Sequence, residues 1–334
     1  MSQLGLAATR PLRIVMPGGS GQVGHILARF FQERGHQVTV LTRGPYTAPW
    51  QTVFWDGSQL GPWVETLEGA DVCINLSGRS VNCRYTARNR SQLYDSRIGP
   101  TRLLHQAFAT LANPPRLWMN ASTATIYRHS LDRDMDEATG ELGGQEMISP
   151  HRRASEKWNW TVELIKDWEA AFFSGETPGT RRVALRTSLV FGPESGSIFA
   201  VFSRLVRFCL GGTQGNGRQY VSWIHETDFA HAIEFLIDHE EIVGPVNLAA
   251  PHPLPNREFM AAFREAWEVP NGLPAPAPLI AIGTFFLRIE PELVLKSRRA
   301  VPGRLLQSGF QFDFPDWPEA AADLVRQWRA RDDL

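Results

Sequence analysis

The run Gly18-Gly19-Ser20-Gly21-Gln22-Val23-Gly24 has the residue types and spacing to hold a dinucleotide. It follows the apolar stretch Leu12-Arg13-Ile14-Val15-Met16, which reads as a buried first strand, and it opens a helix-like stretch through Arg34. In that setting Gly18 permits a tight turn and Gly21 lets a pyrophosphate approach the backbone. Gly24 allows close packing of helix on strand. The free amides and the positive end of the helix then face the phosphates.

The second strand ends at Leu41-Thr42-Arg43-Gly44, where no Asp or Glu is present. A carboxylate at that place accepts hydrogen bonds from the ribose of NAD, whereas a guanidinium binds a 2′-phosphate through paired donors. Arg43 therefore favours NADP(H) over NAD(H). The third strand ends at Trp55-Asp56, and Asp56 reads either as an acceptor for the adenine amino group or as a turn carboxylate. Asn75-Leu76-Ser77-Gly78 ends the fourth strand, and its small residues Ser77 and Gly78, after Leu76, let the backbone pass close to the nicotinamide side.

These residues need a frame. Strand-like runs at 14–16, 37–41, 53–55, 72–76, 116–121 and 182–190 alternate with helical patterns at 23–34, 85–111 and 157–173. That alternation predicts an α/β fold with a doubly wound parallel sheet of Rossmann type, covered on both faces. The stretch 128–153 reads as a long loop over the mouth of the sheet. Composition shifts after Gly192-Pro193. An amphipathic helix is expected at 197–210, a glycine-rich turn at 211–217, and a mostly helical region from 256 to the end. The expected division is a dinucleotide-binding domain over 11–192, with returning segments after 218. A smaller substrate region follows over 193–334, with a C-terminal domain at about 256–330.

Bulk properties narrow the function. The chain has 334 residues, enough to bury a core without metals or disulfides. Net charge is −1, from 34 basic and 35 acidic residues, which argues against nucleic-acid or membrane-surface binding driven by global charge. Cys73, Cys83 and Cys209 are scattered, so neither a disulfide framework nor a zinc site is expected. With no signal-peptide pattern and no long apolar run, a soluble cytoplasmic protein is the expectation.

Several motifs together resemble the extended short-chain dehydrogenase/reductase superfamily. They are the glycine run, Asn75-Leu76-Ser77-Gly78, Ser122-Thr123-Ala124-Thr125-Ile126-Tyr127, Leu185-Arg186-Thr187 and Phe191-Gly192-Pro193. Ser222-Trp223-Ile224-His225 with Asp228, and the tail Val301-Pro302-Gly303-Arg304-Leu305-Leu306 with Gly309-Phe310-Gln311-Phe312, are similar to the epimerase-family subgroup that carries its own C-terminal domain. The resemblance covers about residues 12–328. It implies a tyrosine that moves a proton at the substrate oxygen, a lysine one helical turn later, and a Ser or Thr that fixes that oxygen. Thr123 stands at the Ser/Thr place, with Ser122 beside it on the cofactor side.

The tyrosine and lysine are missing. None of Tyr46, Tyr85, Tyr94, Tyr127 and Tyr220 has a lysine four residues later. Alignment on Lys166-Asp167-Trp168-Glu169 puts Trp160 at the tyrosine place and Leu164 at the lysine place. Neither can serve as an acid or a base near neutral pH. The arginine that many sugar-nucleotide relatives carry before the Ile-His element is Val221 here. The place of a helix asparagine near the reactive centre is taken by Arg97, which would suit an acidic substrate or stay a surface or Asp95-paired arginine.

Trp160, Leu164, Arg97, Trp223 and His225 are thus the expected pocket residues, and Tyr127 is a weak substitute for the missing proton donor. Trp158, Trp160 and Trp168 have roughly helical spacing, suited to core or to stacking. Asp228 is expected to cap the helix through His239 and to orient His225. His151, Arg152 and Arg153 form a basic cluster that is either solvated or anion-binding. The expected function is an NADP(H)-dependent reductase or epimerase-like enzyme for a small-molecule substrate. A non-catalytic NADP(H)-binding redox sensor is the alternative, and a homodimer is the family-level expectation.

Overall fold

The structure is a computed structural model that describes residues 10–145, 147–149, 152–287 and 290–332, with side chains described except at 147–149, 152–153, 285–287 and 332. The basic cluster at 151–153 therefore lies outside the described side chains.

Seven strands form one sheet: β1 (Arg13–Pro17), β2 (Gln37–Thr42), β3 (Gln51–Phe54), β4 (Val72–Asn75), β5 (Leu117–Thr123), β6 (Arg181–Thr187) and β7 (Gly244–Leu248). Their spatial order is β7-β6-β5-β4-β1-β2-β3, and every pairing is parallel. The order reverses between β1 and β4. That reversal opens a crevice at the carboxyl ends of the strands, where ligands of this architecture bind.

Residues on successive strand positions point to opposite faces, so each face needs its own helical cover. Ile14, Met16, Val38 and Val40 pack with Leu27 and Phe31 of α1 (Gln22–Glu33) and with Ile233 and Leu236 of α5 (Glu226–Asp238). Val15, Leu41 and Cys73 face the other way, onto Leu103, Leu104 and Ala107 of α2 (Ala87–Phe108) and Phe172 of α3 (Glu156–Phe173). Hydroxyl caps start both of these helices. Thr86 accepts from the Asn89 amide and Ser155 from the Trp158 amide.

The C-terminal region is helical, with α6 (Asn256–Ala266), α7 (Ala277–Leu287), α8 (Glu292–Leu295), α9 (Gly303–Gln307) and α10 (Trp317–Asp332). With α4 (Ile198–Arg207) it builds a separate aromatic core, in which Trp317 stacks on Phe259 with ring centroids 4.1 Å apart.

Two strand expectations are revised. The run expected over 182–190 breaks at Ser188, whose amide bonds to the Leu248 carbonyl at 3.0 Å. The chain then forms a separate short strand, Leu189–Phe191, paired with Trp223–His225. β7 was not legible in the sequence. Its five residues begin Gly244-Pro245, which reads as a turn, and only pairing with β6 makes them a strand.

The segment expected as a long loop is pinned rather than free along its first half. Arg128 bridges Asp132 and Glu141 at 2.8 Å each. The Met135 amide and carbonyl bond to the Arg299 carbonyl and Val301 amide. Among the described residues no helix is long and apolar enough to cross a membrane.

Candidate functional site

The glycine loop has the geometry its spacing demands. Gly18 sits at φ +73°, and a Cβ there would lie 2.7 Å from Ser77 Cα. A Cβ on Gly24 would come within 2.2 Å of the Gly19 carbonyl oxygen, so helix and turn approach too closely for any side chain. Gly21 is the opposite case, because a Cβ there meets nothing within 4 Å. It is also the N-cap of α1, and no side chain caps that end. The first-turn amides, including those of Gln22 and Val23, have no capping side chain among the described residues, and no acidic residue lies in that turn.

Two polar groups around this loop are buried without a partner, Ser77 Oγ and Gln22 Nε2. Native proteins rarely leave such groups unsatisfied, and a bound polar ligand would satisfy them. Ser77 is fixed from behind. Its amide bonds to Asn75 Oδ1 at 3.1 Å, while Asn75 Nδ2 donates to Asn120 Oδ1 at 2.7 Å. Leu76 donates its amide to the Pro17 carbonyl at 2.8 Å, tying the end of β4 to the glycine loop. Gly78, exposed, follows directly.

At the end of β2, Thr42 donates to Ser20 Oγ at 3.3 Å. Arg43 is exposed and makes no hydrogen bond or ion pair among the described residues. Asp56 has its Oδ1 occupied by the amides of Ser58 and Gln59, at 2.8 and 3.0 Å, and these bonds hold its pKa down. It is a turn carboxylate that keeps Oδ2 free of those two bonds.

The candidate reactive end lies over β4 and β5. Thr123 closes β5 and is half-buried. Its Oγ1 accepts the Thr125 amide and touches Thr125 Oγ1, both at 3.2 Å. Thr125 Oγ1 also accepts from Arg298 Nε at 3.1 Å, and the Thr125 carbonyl accepts from Lys296 Nζ at 2.9 Å. Both cations come from the segment between α8 and α9. Leu164 is buried with Leu93 and Tyr85, and the half-buried Trp160 packs edge-on against Tyr85 at 5.5 Å. The places of the missing tyrosine and lysine are thus filled by an apolar cluster around Tyr85. Burial raises the Tyr85 pKa to about 12, opposed by the fields of Arg298 and Arg97. Arg97 lies against Gly78, with its guanidinium carbon 3.4 Å from where a Gly78 Cβ would be.

Four expected site residues serve elsewhere. Tyr127 is 3 % exposed, and its hydroxyl donates to Asn247 Oδ1 and accepts from Arg186 Nη1, each at 2.9 Å. Burial raises its pKa, and its proton is committed to Asn247 rather than to the cleft. The Ser122 hydroxyl donates to Glu169 Oε1 at 2.6 Å, inside a buried network in which Arg186 forks onto both Glu169 oxygens. Trp223 is fully buried in the C-terminal core, edge-on to Trp317 at 5.0 Å. His225 is also fully buried. It caps α5 by accepting the Thr227 amide at 3.1 Å, stacks on Phe314, and lies 3.3 Å from Asp323. Asp228 does not cap α5. Its carboxylate accepts the amides of Asp313 and Phe314 at 2.7 and 3.0 Å, anchoring the segment before α10. The Ile-His strand is therefore a clamp for the C-terminal region, not a pocket wall.

Sequence reasoning missed Tyr85, Lys296 and Arg298. Tyr85 lies just before a helix cap, and Lys296-Ser297-Arg298-Arg299 reads as an ordinary basic run. No local signal brings residues about 170 positions apart together.

Comparison with known proteins agrees with this geometry. Residues 14–249 match the model of the NAD dependent epimerase/dehydratase family, and residues 274–324 match a domain of unknown function (DUF1731). An epimerase family protein of Mycobacterium leprae is 32% identical over 91% of this chain and 93% of its own length. The Bacillus subtilis epimerase family protein YfhF is 29% identical over 94% of this chain and 98% of its own. The crystal structure of human epimerase family protein SDR39U1 (isoform 2) with NADPH superposes with a TM-score of 0.80 at 26% identity, covering 94% of this chain and 99% of the human one. A glycine loop that leaves its amides open, at the switch point of a seven-stranded parallel sheet, and a match over more than half its length identify this chain as a member of the NAD dependent epimerase/dehydratase family.

Proposed function

We propose that this protein is an NADP(H)-dependent oxidoreductase or epimerase-like enzyme acting on a small molecule at the carboxyl ends of β4 and β5. The observation that carries the reading is the pairing of an uncapped α1 terminus, open at Gly21, with a carboxylate-free β2 end bearing an Arg43 that has no partner among the described residues. Support comes from the human relative, whose crystal structure is with NADPH. The amides around Gly21 and Gln22 would hold the pyrophosphate and Arg43 the 2′-phosphate, and Ser77 Oγ would gain the partner it lacks. When bound, the nicotinamide supplies or takes up hydride.

The chain's own contribution at the reactive end is orientation and proton handling. The Thr123 and Thr125 hydroxyls form a coupled pair that can hold a substrate oxygen by hydrogen bonds. With no phenol–ammonium pair, the proton passes through the Thr123 hydroxyl, a water or the substrate itself. The region after residue 193 closes this site, and assembly as a homodimer belongs to the same proposal.

Calorimetric titration with NADPH, NADP+ and NADH tests the cofactor reading, and light scattering tests the assembly. Micromolar NADPH binding with much weaker NADH binding is expected. No heat with any nicotinamide nucleotide overturns it. A second reading, a non-catalytic NADP(H) sensor, draws on Trp160 and Leu164 filling the tyrosine and lysine places. Oxidation of NADPH in a panel of carbonyl and sugar-nucleotide substrates decides between the two.

A further inference from the structure

Two arginines stand at the candidate reactive end with no carboxylate beside either among the described residues. Arg97, on α2, donates to the carbonyls of Leu93 and Arg79, each at 3.0 Å, and reaches Ser96 Oγ at 3.5 Å. Its guanidinium carbon lies 5.2 Å from the Trp168 ring centroid. Arg298 donates Nε to Thr125 Oγ1 at 3.1 Å and Nη1 to the carbonyls of Leu293 and Lys296, at 3.1 and 3.5 Å. Neither is in an ion pair among the described residues, and Arg97 Nε and Arg298 Nη2 make no hydrogen bond there.

Both side chains are half-buried. Burial draws each pKa down to about 10, which leaves both charged at neutral pH. Their fields converge on Tyr85. The carboxylate facing that tyrosine's backbone, Glu290, is already taken. It accepts the Tyr85 amide at 2.7 Å and Lys157 Nζ on both oxygens at 3.0 Å. Holding partly buried cations without a counter-charge is unfavourable, so the arrangement calls for an anion brought by the ligand. The placement fits. Arg97 lies over the end of β4 and Arg298 over the end of β5, and those strands are neighbours.

We propose that this cleft binds an anionic small molecule, its carboxylate or phosphate group held between Arg97 of the nucleotide-binding fold and Arg298 of the C-terminal region, with the reacting carbon beside Thr123. The proposal rests on the reading of this cleft as the reactive end. It gives the C-terminal region a specific task, to supply the second guanidinium. Guanidinium forks match both kinds of oxyanion.

The test is calorimetric titration of NADP+-saturated protein with malonate, inorganic phosphate and the neutral control dimethyl malonate. Saturating the nucleotide site keeps phosphate from reporting on the α1 terminus. The expected result is that malonate or phosphate binds at least about tenfold more tightly than the diester, and whichever is tighter names the group. Arg298→Gln and Arg97→Gln should each weaken that binding by about tenfold or more, and Arg298→Lys less, with NADP+ affinity unchanged within about twofold. Anions that bind no better than the diester overturn the proposal, as does binding that survives both glutamine variants. The wild-type comparison stands even if a variant misfolds. The same titrations without nucleotide separate the two readings. Failure of NADP+ to bind sinks the cofactor assignment, while Arg298-dependent malonate binding would still be seen.

Discussion

Arg298 donates its Nε–H to the Thr125 hydroxyl across 3.1 Å, joining the C-terminal region to the end of the fifth strand. Thr125 in turn touches Thr123 at 3.2 Å, so two hydrogen bonds link the candidate catalytic hydroxyl to a half-buried cation. A hydroxyl so placed is oriented by its neighbours rather than by solvent. Thr123→Ala should lower turnover of any identified substrate by about 10²-fold, with NADPH affinity unchanged. Undiminished single-turnover hydride transfer in that variant removes Thr123 from the mechanism.

The glycines of the loop separate by role. Gly24→Ala forces a Cβ to 2.2 Å from the Gly19 carbonyl, and overpacking of this kind costs roughly 1–3 kcal/mol or more. Its melting temperature should fall by several degrees. Gly21→Ala meets no protein atom, so it should melt like the wild type yet bind NADPH at least about tenfold more weakly. Calorimetric and thermal-melt measurements on the pair would refute the loop assignment if Gly21→Ala bound normally.

Arg43→Asp replaces a guanidinium that has no partner among the described residues with a carboxylate at the proposed ribose end. It should cut NADPH affinity by about 10²-fold and leave NADH binding little changed or improved. Equal losses with both nucleotides would place the 2′-phosphate elsewhere.

Tyr127→Phe tests the reassignment of this residue. It removes one hydroxyl between Arg186 and Asn247, and about 1–2 kcal/mol of stability should go with it. Nucleotide binding and turnover should persist in the folded fraction. A variant that melts normally but turns over a hundredfold more slowly would return Tyr127 to the reactive centre.

Glu226 and Glu194 meet beside Arg29, and burial, then the Glu194 charge, raises the Glu226 pKa to about 7. A carboxyl with a raised folded pKa keeps its proton in the native state after the unfolded chain has lost it. The Glu226 contribution to stability therefore falls as pH rises from about 4.5 to 7. Glu226→Gln should match the wild type near pH 4 and exceed it by about 1–3 kcal/mol at pH 8. Parallel melting curves for the two proteins across this range would exclude the effect.

The first half of the molecule was legible because its signals are local. Gly18, Gly21 and Gly24 declare a turn, an open face and a close approach within seven residues. The apolar alternation of β1 and β2 specifies a sheet covered on both faces. The second half misled because the motif Trp223-Ile224-His225 looks chemical. Burial turned both ring side chains into contacts for α10 and the segment before it.

By itself the sequence determined six of the seven strands of the sheet, the glycine loop, the carboxylate-free end of β2 and the loss of the tyrosine–lysine pair, since each depends on neighbours a few residues away. Only the tertiary structure decided what stands at the reactive end. It buries Tyr127 against Arg186, seats Trp160 and Leu164 around Tyr85, and brings Arg298 to Thr125 across 173 positions of chain. Contacts of that span are fixed by which faces can be buried together, and no local pattern of residue types encodes that.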